Sequence, residues 1–304
     1  MKALVTGAGG FVGPHLLQHL DECGDEAIGF DLGNGPDLRD GDGWREVITG
    51  EGPDVIYHLA GWSDVGGSWQ EPVTTFEINA MGTISILEAA RRAGTGRVVL
   101  ISSADLYGTV DAGDLPITED HPIRPRSPYG ASKQAAEAAA IHYWRGYGLG
   151  TVIARPFNHL GPGQSTKFIA PAFAGQIAAA EAGGSGQLLH GDLSPRRDLT
   201  DVRDVVRAYR LLAERGQDGE AYNVCRGETV SMQDLLDCLT SQTNASITQV
   251  PDPERFRPVE IPVLCGSYDK IRAATGWEPT IPLDETLTSV LTDARQRHGV
   301  ALSR

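Results

Sequence analysis

The sequence predicts a doubly wound α/β fold, a parallel sheet covered by helices on both faces. Three observations carry that prediction. β-rich runs alternate with helical patterns through the first 157 residues. A glycine-rich turn joins the first run to the first helix, and later runs end on Asp31 and Ser103, polar residues at what would be the carboxyl edge of a sheet.

In chain order, Ala3-Leu4-Val5-Thr6 reads as a short strand, Gly7 to Gly13 as a turn, and Leu16, Leu17 and Leu20 as the apolar stripe of a helix. Glu26 to Phe30 is a second strand and Asp54 to Ala60 a third. One helix is expected from about Pro72 to Ala93, a fourth strand over Arg97 to Ser103, an Ala-rich helix over Ala131 to Trp144, and a further core strand over Thr151 to Pro156. Beyond Phe157 the pattern is less regular. Helices are expected near Phe168 to Ala182, Asp201 to Glu214, Ser231 to Thr240 and Asp284 to Arg297, with a short strand at Leu188-Leu189-His190.

The glycine turn has a chemical use. Gly7, Gly10 and Gly13 permit a tight turn, close backbone approach and close helix packing, and the helix N-terminus offers N–H groups and a positive dipole to a pyrophosphate. Asp31 follows the second strand about 20 residues beyond the turn, where an acid accepts hydrogen bonds from a ribose 2′-hydroxyl. That is the pattern of a Rossmann dinucleotide site, and Asp31 favours NAD(H) because it repels a 2′-phosphate, with NADP(H) left open. The alternative for Asp31 is a turn aspartate capping Leu32-Gly33-Asn34-Gly35.

Tyr129 and Lys133 lie four apart on the predicted Ala-rich helix, so their side chains share a face. A tyrosine with the ordinary pKa of about 10 is a poor base at neutral pH, and a nearby cation such as Lys133 favours its phenolate. Alone, such a pair is more simply a half-buried aromatic beside a lysine. Ser103, at the end of the fourth strand, and Asp105 lead towards it, although both are also ordinary turn or capping residues.

Together, Gly7-x-x-Gly10-x-x-Gly13, His58-Leu59-Ala60, Asn79-x-x-Gly82-Thr83, Ser102-Ser103 before Tyr107-Gly108, and Tyr129-x-x-x-Lys133 resemble the extended short-chain dehydrogenase/reductase family, whose members modify nucleotide sugars. The resemblance implies Ser103, Tyr129 and Lys133 as catalytic, with Asp105 where dehydratases carry a glutamate. It implies a cofactor site of Gly7, Gly10, Phe11, Val12, Gly13, Asp31, Leu32, Asp37, Leu38, Leu59, Ala60, Gly61, Asn79, Tyr129, Lys133 and Pro156. It further implies Ser63, Ser103, Asn158, Arg197 and Arg257 as substrate contacts, the two arginines on the sugar diphosphate. The implied domains are 1–157 with about 200–225 for the dinucleotide, and 158–199 with 226–304 as a smaller C-terminal α/β substrate domain. A homodimer through the long helices after Asn79 and Tyr129 is implied as well.

Longer phrases narrow the resemblance. Arg155 to Ser165, Tyr222-Asn223-Val224-Cys225, and Arg257 to Pro262 followed by Gly276-Trp277 are similar to the GDP-4-keto-6-deoxy-D-mannose reductases and GDP-mannose 4,6-dehydratases, which favours a GDP-sugar. Such reductases commonly use NADPH and lack an acid after the second strand, so Asp31 is a departure. The expected reaction is reduction of a 4-keto-6-deoxy sugar at C4. A 4-epimerase is the first alternative and a 4,6-dehydratase the second, with Ala104 standing where dehydratases carry a polar residue. A dinucleotide sensor without activity ranks last, since Tyr129 and Lys133 are both present.

Composition narrows the partners. Lys plus Arg number 26 against 40 for Asp plus Glu, a net charge of −14, which argues against nucleic acid or an anionic membrane surface. The four cysteines include no CxxC pair, so neither a zinc site nor a disulfide framework is expected. His15 and His19 lie four apart but lack further ligands, and no metal is expected. His58 is expected to order backbone near the cofactor, and Trp62 and Trp69 either to line the cleft or to serve as core or lid. The apolar start is too short for a signal peptide or a span, so a cytoplasmic location is expected. Gly183-Gly184-Ser185-Gly186 reads as a flexible loop.

Overall fold

A computed structural model describes residues 1–256 and 261–300. The first half alternates β1 (Lys2–Thr6), α1 (Val12–Glu22), β2 (Glu26–Phe30), α2 (Gly41–Glu51), β3 (Val55–His58), α3 (Val65–Ser68), α4 (Pro72–Phe76), α5 (Gly82–Ala93), β4 (Arg97–Ile101), α6 (Pro128–Tyr147) and β5 (Gly150–Pro156). The second half carries β6 (His159–Leu160), α7 (Ile169–Glu181), β7 (Gln187–His190), β8 (Arg196–Asp198), β9 (Thr200–Asp201), α8 (Val202–Arg215), β10 (Ala221–Val224) and β11 (Thr229–Ser231). It ends with α9 (Met232–Thr240), β12 (Thr248–Pro251), β13 (Val263–Leu264), α10 (Asp269–Thr275) and α11 (Leu283–Arg297).

Six strands pair in parallel in the order β10-β5-β4-β3-β1-β2. All seven residues of β5 are buried, as expected of a strand covered on both faces, with apolar Val152, Ile153 and Ala154 at its centre and a buried Arg155 near its end. One face packs on α1 and α8 through Leu16, Leu20, Val205 and Leu212. The other packs on α2, α5 and α6 through Trp44, Ile48, Ile86, Leu87 and Ala140. A separate core joins α7, α9 and α11 through Phe173, Ile177, Leu235, Leu239 and Leu291, so apolar burial falls into distinct layers. The chain leaves the sheet after β5 and returns through α8 to β10, whose Ala221 pairs with Ile153.

The structure departs from the expected elements in four respects. The helix expected over 72–93 is broken, because a π-helical turn at Glu77–Met81 separates α4 from α5. Such a turn carries an extra residue and rotates the helix beyond it, and here it contains Asn79. The fourth strand stops at Ile101, since Ser103 caps a 3-10 turn over Ala104–Tyr107 with its side chain. The short strands β6, β8, β9, β11, β12 and β13, each two to four residues long, were not expected, because so few residues carry no readable periodicity. The Ala-rich helix begins earlier than its apolar run. Ser127 accepts a hydrogen bond from the Gly130 N–H at 3.0 Å, Pro128 opens the first turn, and Gly148 closes the helix in the left-handed conformation.

Candidate active site

The carboxyl edge of the sheet opens into a cleft of about 720 Å³, lined from the glycine turn through Asp31, Ser103, Tyr129 and Lys133 to Asn158. At one end the glycines form a cradle. Gly7 adopts φ 73°, and a Cβ there would stand 2.7 Å from the Ala60 nitrogen; one at Gly13 would stand 2.4 Å from the Ala8 carbonyl oxygen. Neither position admits a side chain. Phe11 begins α1 without a side-chain cap, which leaves the first helical N–H groups directed at the cleft. A dinucleotide's pyrophosphate fits this cradle in shape and in electrostatic sign.

Asp31 stands beside the cradle with its carboxylate accepting from Gly9 N at 2.9 Å and Leu32 N at 2.7 Å. The carboxylate thus braces the turn, and its remaining acceptor sites can receive a ribose hydroxyl. Asp37 is clasped by the Arg39 guanidinium at 2.9 and 2.7 Å, which holds its carboxyl down at about 2. Leu38 packs beneath Gly82, and both Asp37 and Leu38 line the cleft with Leu32.

The opposite wall is the turn after β3, from Leu59, Ala60 and Gly61 to Ser63. Asn79 does not line the cleft but holds that wall from behind. Its Oδ1 accepts from Trp62 N at 2.7 Å, and its Nδ2 donates to the Trp62 carbonyl and to Ser132 Oγ at 2.9 Å. His58 lies deeper, its ring nitrogens 2.8 Å from Thr6 Oγ1 and 3.2 Å from Thr83 Oγ1. Burial, with the Lys133 charge adding to it, pulls its pKa down to about 3. Thr6 Oγ1 in turn accepts from Ala60 N, so a neutral histidine orders the cleft wall as expected.

The reacting end gathers Ser103, Asp105, Tyr129 and Lys133. Tyr129 is 9% exposed and Lys133 8%. Burial raises the Tyr129 pKa above its ordinary value, the Asp105 carboxylate raises it further, and a hydrogen bond with Ser103 pulls it back. The expectation that Lys133 favours the phenolate is therefore not what dominates this arrangement. Lys133 Nζ lies 5.9 Å from the Tyr129 ring centroid and donates to the Ile101 carbonyl at 2.9 Å. Its own pKa is brought down to about 8 by burial, against the pull of Glu137.

The helix that carries both side chains is pinned from below. Glu137 receives two hydrogen bonds from Arg155 at 3.0 and 2.7 Å, and Arg155 also donates to the Tyr107 hydroxyl at 2.8 Å. Tyr107 donates onward to Asn223 Oδ1 at 2.7 Å, so one buried network ties α6, β5 and β10.

Pro156 and Asn158 line the cleft where β5 ends, and Phe11 stacks on His159 there with ring centroids 5.9 Å apart. Arg197 is on β8, outside the cleft lining, with Nη1 donating to the carbonyls of Arg196 and Ile261. Arg257 lies outside the described residues. His15 bonds the Pro162 carbonyl at 2.9 Å, and His19 lies 3.8 Å from Cys23 Sγ, so the two histidines serve separate contacts. Trp62 lines the cleft, whereas Trp69 is 63% exposed outside it. Among the described residues no group of three His, Cys, Asp or Glu could hold a metal, and no helix is long and apolar enough to cross a membrane.

Several lining residues escaped the sequence reading, Arg39, Gln164, Phe168 and Tyr209, while Ser102 was read as part of a motif but given no role. Arg39 carried a signal in its spacing from Asp37. Tyr209 carried none, because on an amphipathic helix it reads as core.

A glycine cradle, an acid after β2 and a Ser103–Tyr129–Lys133 set at the carboxyl edge of one parallel sheet define an extended short-chain dehydrogenase/reductase, and the chain belongs to that family. Within it, the family model for GDP-mannose 4,6 dehydratase matches residues 30–290. The chain is 36% identical over 302 residues to the GDP-6-deoxy-D-mannose reductase of Pseudomonas aeruginosa, covering 97% of this chain and 98% of that one. In structure it is similar to RMD from Pseudomonas aeruginosa complexed with NADPH, at a TM-score of 0.91 and 34% identity, with 98% and 100% of the two chains covered. It is also similar to the UDP-glucose 4-epimerase of Thermus thermophilus in complex with NAD, at a TM-score of 0.85 and 29% identity, with 97% and 99% covered.

Proposed function

We propose that this chain reduces the C4 ketone of a nucleoside-diphosphate 4-keto-6-deoxyhexose, of the GDP-4-keto-6-deoxy-mannose type. The observation that carries the reading is the buried Tyr129 phenol, bonded to Ser103 and held in its protonated form by burial and Asp105. A phenol so held is a proton donor, which is what reduction of a ketone requires. The 36% identity to a reductase over nearly the whole chain supports the same direction.

A nicotinamide cofactor, when bound, supplies the hydride that goes to C4. Tyr129 gives its proton to the C4 oxygen, so ketone, hydride and proton add up to the alcohol. Ser103 donates a hydrogen bond to the oxygen as negative charge develops there, the preorganised stabilisation that such sites depend on. Lys133, charged at neutral pH, orients the cofactor's ribose and favours the phenolate that Tyr129 leaves behind. Gly7, Gly10 and the first turn of α1 hold the pyrophosphate, and Asn158, Arg197 and Arg257 are assigned to the substrate.

NADH is the proposed cofactor. The Asp31 carboxylate beside the cradle favours a free 2′-hydroxyl, and the NAD complex of the epimerase relative is compatible with that. The exposed Arg39 is the one lining cation on that side among the described residues, and it is engaged by Asp37. Asp31→Asn is expected to shift the ratio of kcat/KM for NADPH over NADH upward by at least tenfold; an unchanged ratio removes Asp31 as the determinant.

The second reading is a 4-epimerase, which the same Ser103–Tyr129–Lys133 set and an NAD preference also serve. A dehydratase ranks below both, since Asp105 is shorter than the expected glutamate. A homodimer is proposed through the helices after Asn79 and Tyr129, α5 and α6, where Met81, just before α5, and Tyr147, at the end of α6, are each 56% exposed. Light scattering on a sizing column tests it, a monomer mass being the adverse result.

The deciding experiment incubates the protein with GDP-, UDP-, CDP- and dTDP-sugars, 4-keto forms included, with NADH or NADPH, and reads the products by mass. Reduction adds two hydrogens and consumes cofactor, dehydration removes one water, and epimerisation changes neither.

A further inference from the structure

Ser102 and Tyr209 line the cleft, and each has a buried side-chain hydroxyl without a hydrogen-bond partner. Ser102 is 3% exposed and Tyr209 0%. They come from different elements. Ser102 follows β4, its N–H donating to the Ala154 carbonyl at 2.8 Å, and so sits directly beside Ser103 at the reacting end. Tyr209 rises from α8 on the other face of the sheet, packed in the core with Leu16, Val205 and Leu212. Its phenol is near enough to that of Tyr129 for the two to interact electrostatically. Both residues therefore line one cleft, Ser102 next to Ser103 in the chain and Tyr209 within electrostatic reach of Tyr129.

A buried hydroxyl without a partner is unfavourable, and native chains rarely keep one that phenylalanine or alanine could replace. Phenylalanine would fill the place of Tyr209 in this apolar core with no loss of packing, and of the described residues with such an oxygen Ser102 and Tyr209 are the two that line the cleft, where a ligand can supply the missing partner. The surroundings of the pair define that ligand's chemistry. Two neutral hydroxyls, each able to donate or accept, do not suit a phosphate, and a purely apolar group would leave both unpaired. A primary amide offers one carbonyl acceptor and two N–H donors on a compact planar group. The nicotinamide ring of the proposed cofactor carries such an amide as its polar substituent.

We infer that Ser102 and Tyr209 form a polar floor that takes the nicotinamide carboxamide, one hydroxyl donating to its carbonyl oxygen and the other accepting from its amide nitrogen. The inference rests on the nicotinamide cofactor of the proposed function and deepens it. The floor fixes which face of the ring meets the substrate, because the amide can bond there in one rotation of the ring. Ser102 and Tyr209 are positioning residues in this account, distinct from Ser103 and Tyr129, which act on the substrate carbonyl.

The test compares ligands that differ only in the nicotinamide. Dissociation constants for NADH and ADP-ribose, and for NADPH and 2′-phospho-ADP-ribose, are measured by titration calorimetry on the wild type, Tyr209→Phe, Ser102→Ala and the double variant. Melting temperatures are taken without ligand. Each single variant is expected to bind the reduced dinucleotide about fivefold more weakly, the net worth of one neutral hydrogen bond, while ADP-ribose affinity stays within about twofold. The ligand-free melting temperature is expected to hold or rise, since only an unpaired oxygen is lost. Parallel loss for dinucleotide and ADP-ribose, or no loss for either, overturns the inference. A wild type that binds none of the four removes the cofactor reading and this inference with it, whereas binding without the differential loss removes this inference alone.

Discussion

Lys133 is held in the cleft wall against its own solvation, and replacing it with methionine exposes the cost. Its pKa falls from 10.5 to about 8 on burial, a difference worth about 3 kcal/mol against the charged form at neutral pH. Methionine removes that penalty and keeps the length of the side chain. It also strips the donor from the Ile101 carbonyl, which offsets about 1–2 kcal/mol of the gain. Lys133→Met is therefore expected to be more stable than the wild type by about 1–2 kcal/mol at pH 7, in the absence of ligand, while losing nearly all turnover. The pH dependence gives the sharper check. Between about pH 8 and 10.5 the unfolded chain holds the lysine proton and the folded chain does not, so wild-type stability rises with pH across that window. The variant's advantage should shrink through it and turn into a deficit of about 1–2 kcal/mol above it, where only the lost Ile101 hydrogen bond counts. Denaturant titrations followed by tryptophan fluorescence at pH 7, 9 and 10.5 measure this. A variant less stable than wild type at pH 7, or an advantage unchanged by pH, refutes the account of Lys133 as a buried charge.

Tyr129→Phe keeps the packing of a side chain that is 9% exposed and removes the proton donor, so turnover is expected to fall about a hundredfold to ten-thousandfold with cofactor affinity nearly intact. Near wild-type rates would exclude Tyr129 as the acid. The buried neutral His58 titrates at about 3 in the fold and at 6.5 when unfolded, so the unfolded chain takes up its proton first as pH drops. Its contribution to stability is complete above about 6.5 and is lost towards pH 3 at about 1.4 kcal/mol per pH unit; a His58→Gln chain should show a flatter profile between pH 4 and 7. Glu137→Gln leaves the buried Arg155 charge without its carboxylate and is expected to cost about 3–5 kcal/mol, with Glu137→Gln/Arg155→Met recovering part of the loss. Equal melting temperatures for Glu137→Gln and wild type would show the pair to be solvated.

Much of the site was legible because its spacing is local. A glycine turn between a strand and a helix, and a tyrosine four residues before a lysine, each declare their geometry within a single element. Asp31, Ser103 and Pro156 could be assigned to strand ends because β-rich runs are readable and a parallel sheet gathers its carboxyl ends on one edge. The broken helix at Asn79 was not legible. A π turn costs little locally and is stabilised by what it points at, here the Trp62 backbone and Ser132, which lie 17 and 53 residues away. Arg197 shows the converse limit: its motif could be read, but its hydrogen bonds to the carbonyls of Arg196 and Ile261 could not.

The sequence by itself determined the doubly wound sheet and the glycine cradle, because these follow from periodicity and from residue types at short fixed spacings, and its family resemblance singled out Ser103, Tyr129 and Lys133. Only the tertiary structure decided the protonation of that set. Whether Tyr129 stands as phenol or phenolate depends on burial, on Asp105 and on Ser103, and Lys133 near pH 8 depends on how deep α6 lies against β4. Desolvation is a property of everything packed around a group, and no spacing along the chain records it. The same holds for Ser102 and Tyr209, 107 positions apart, which line one cleft only because α8 returns beneath the sheet.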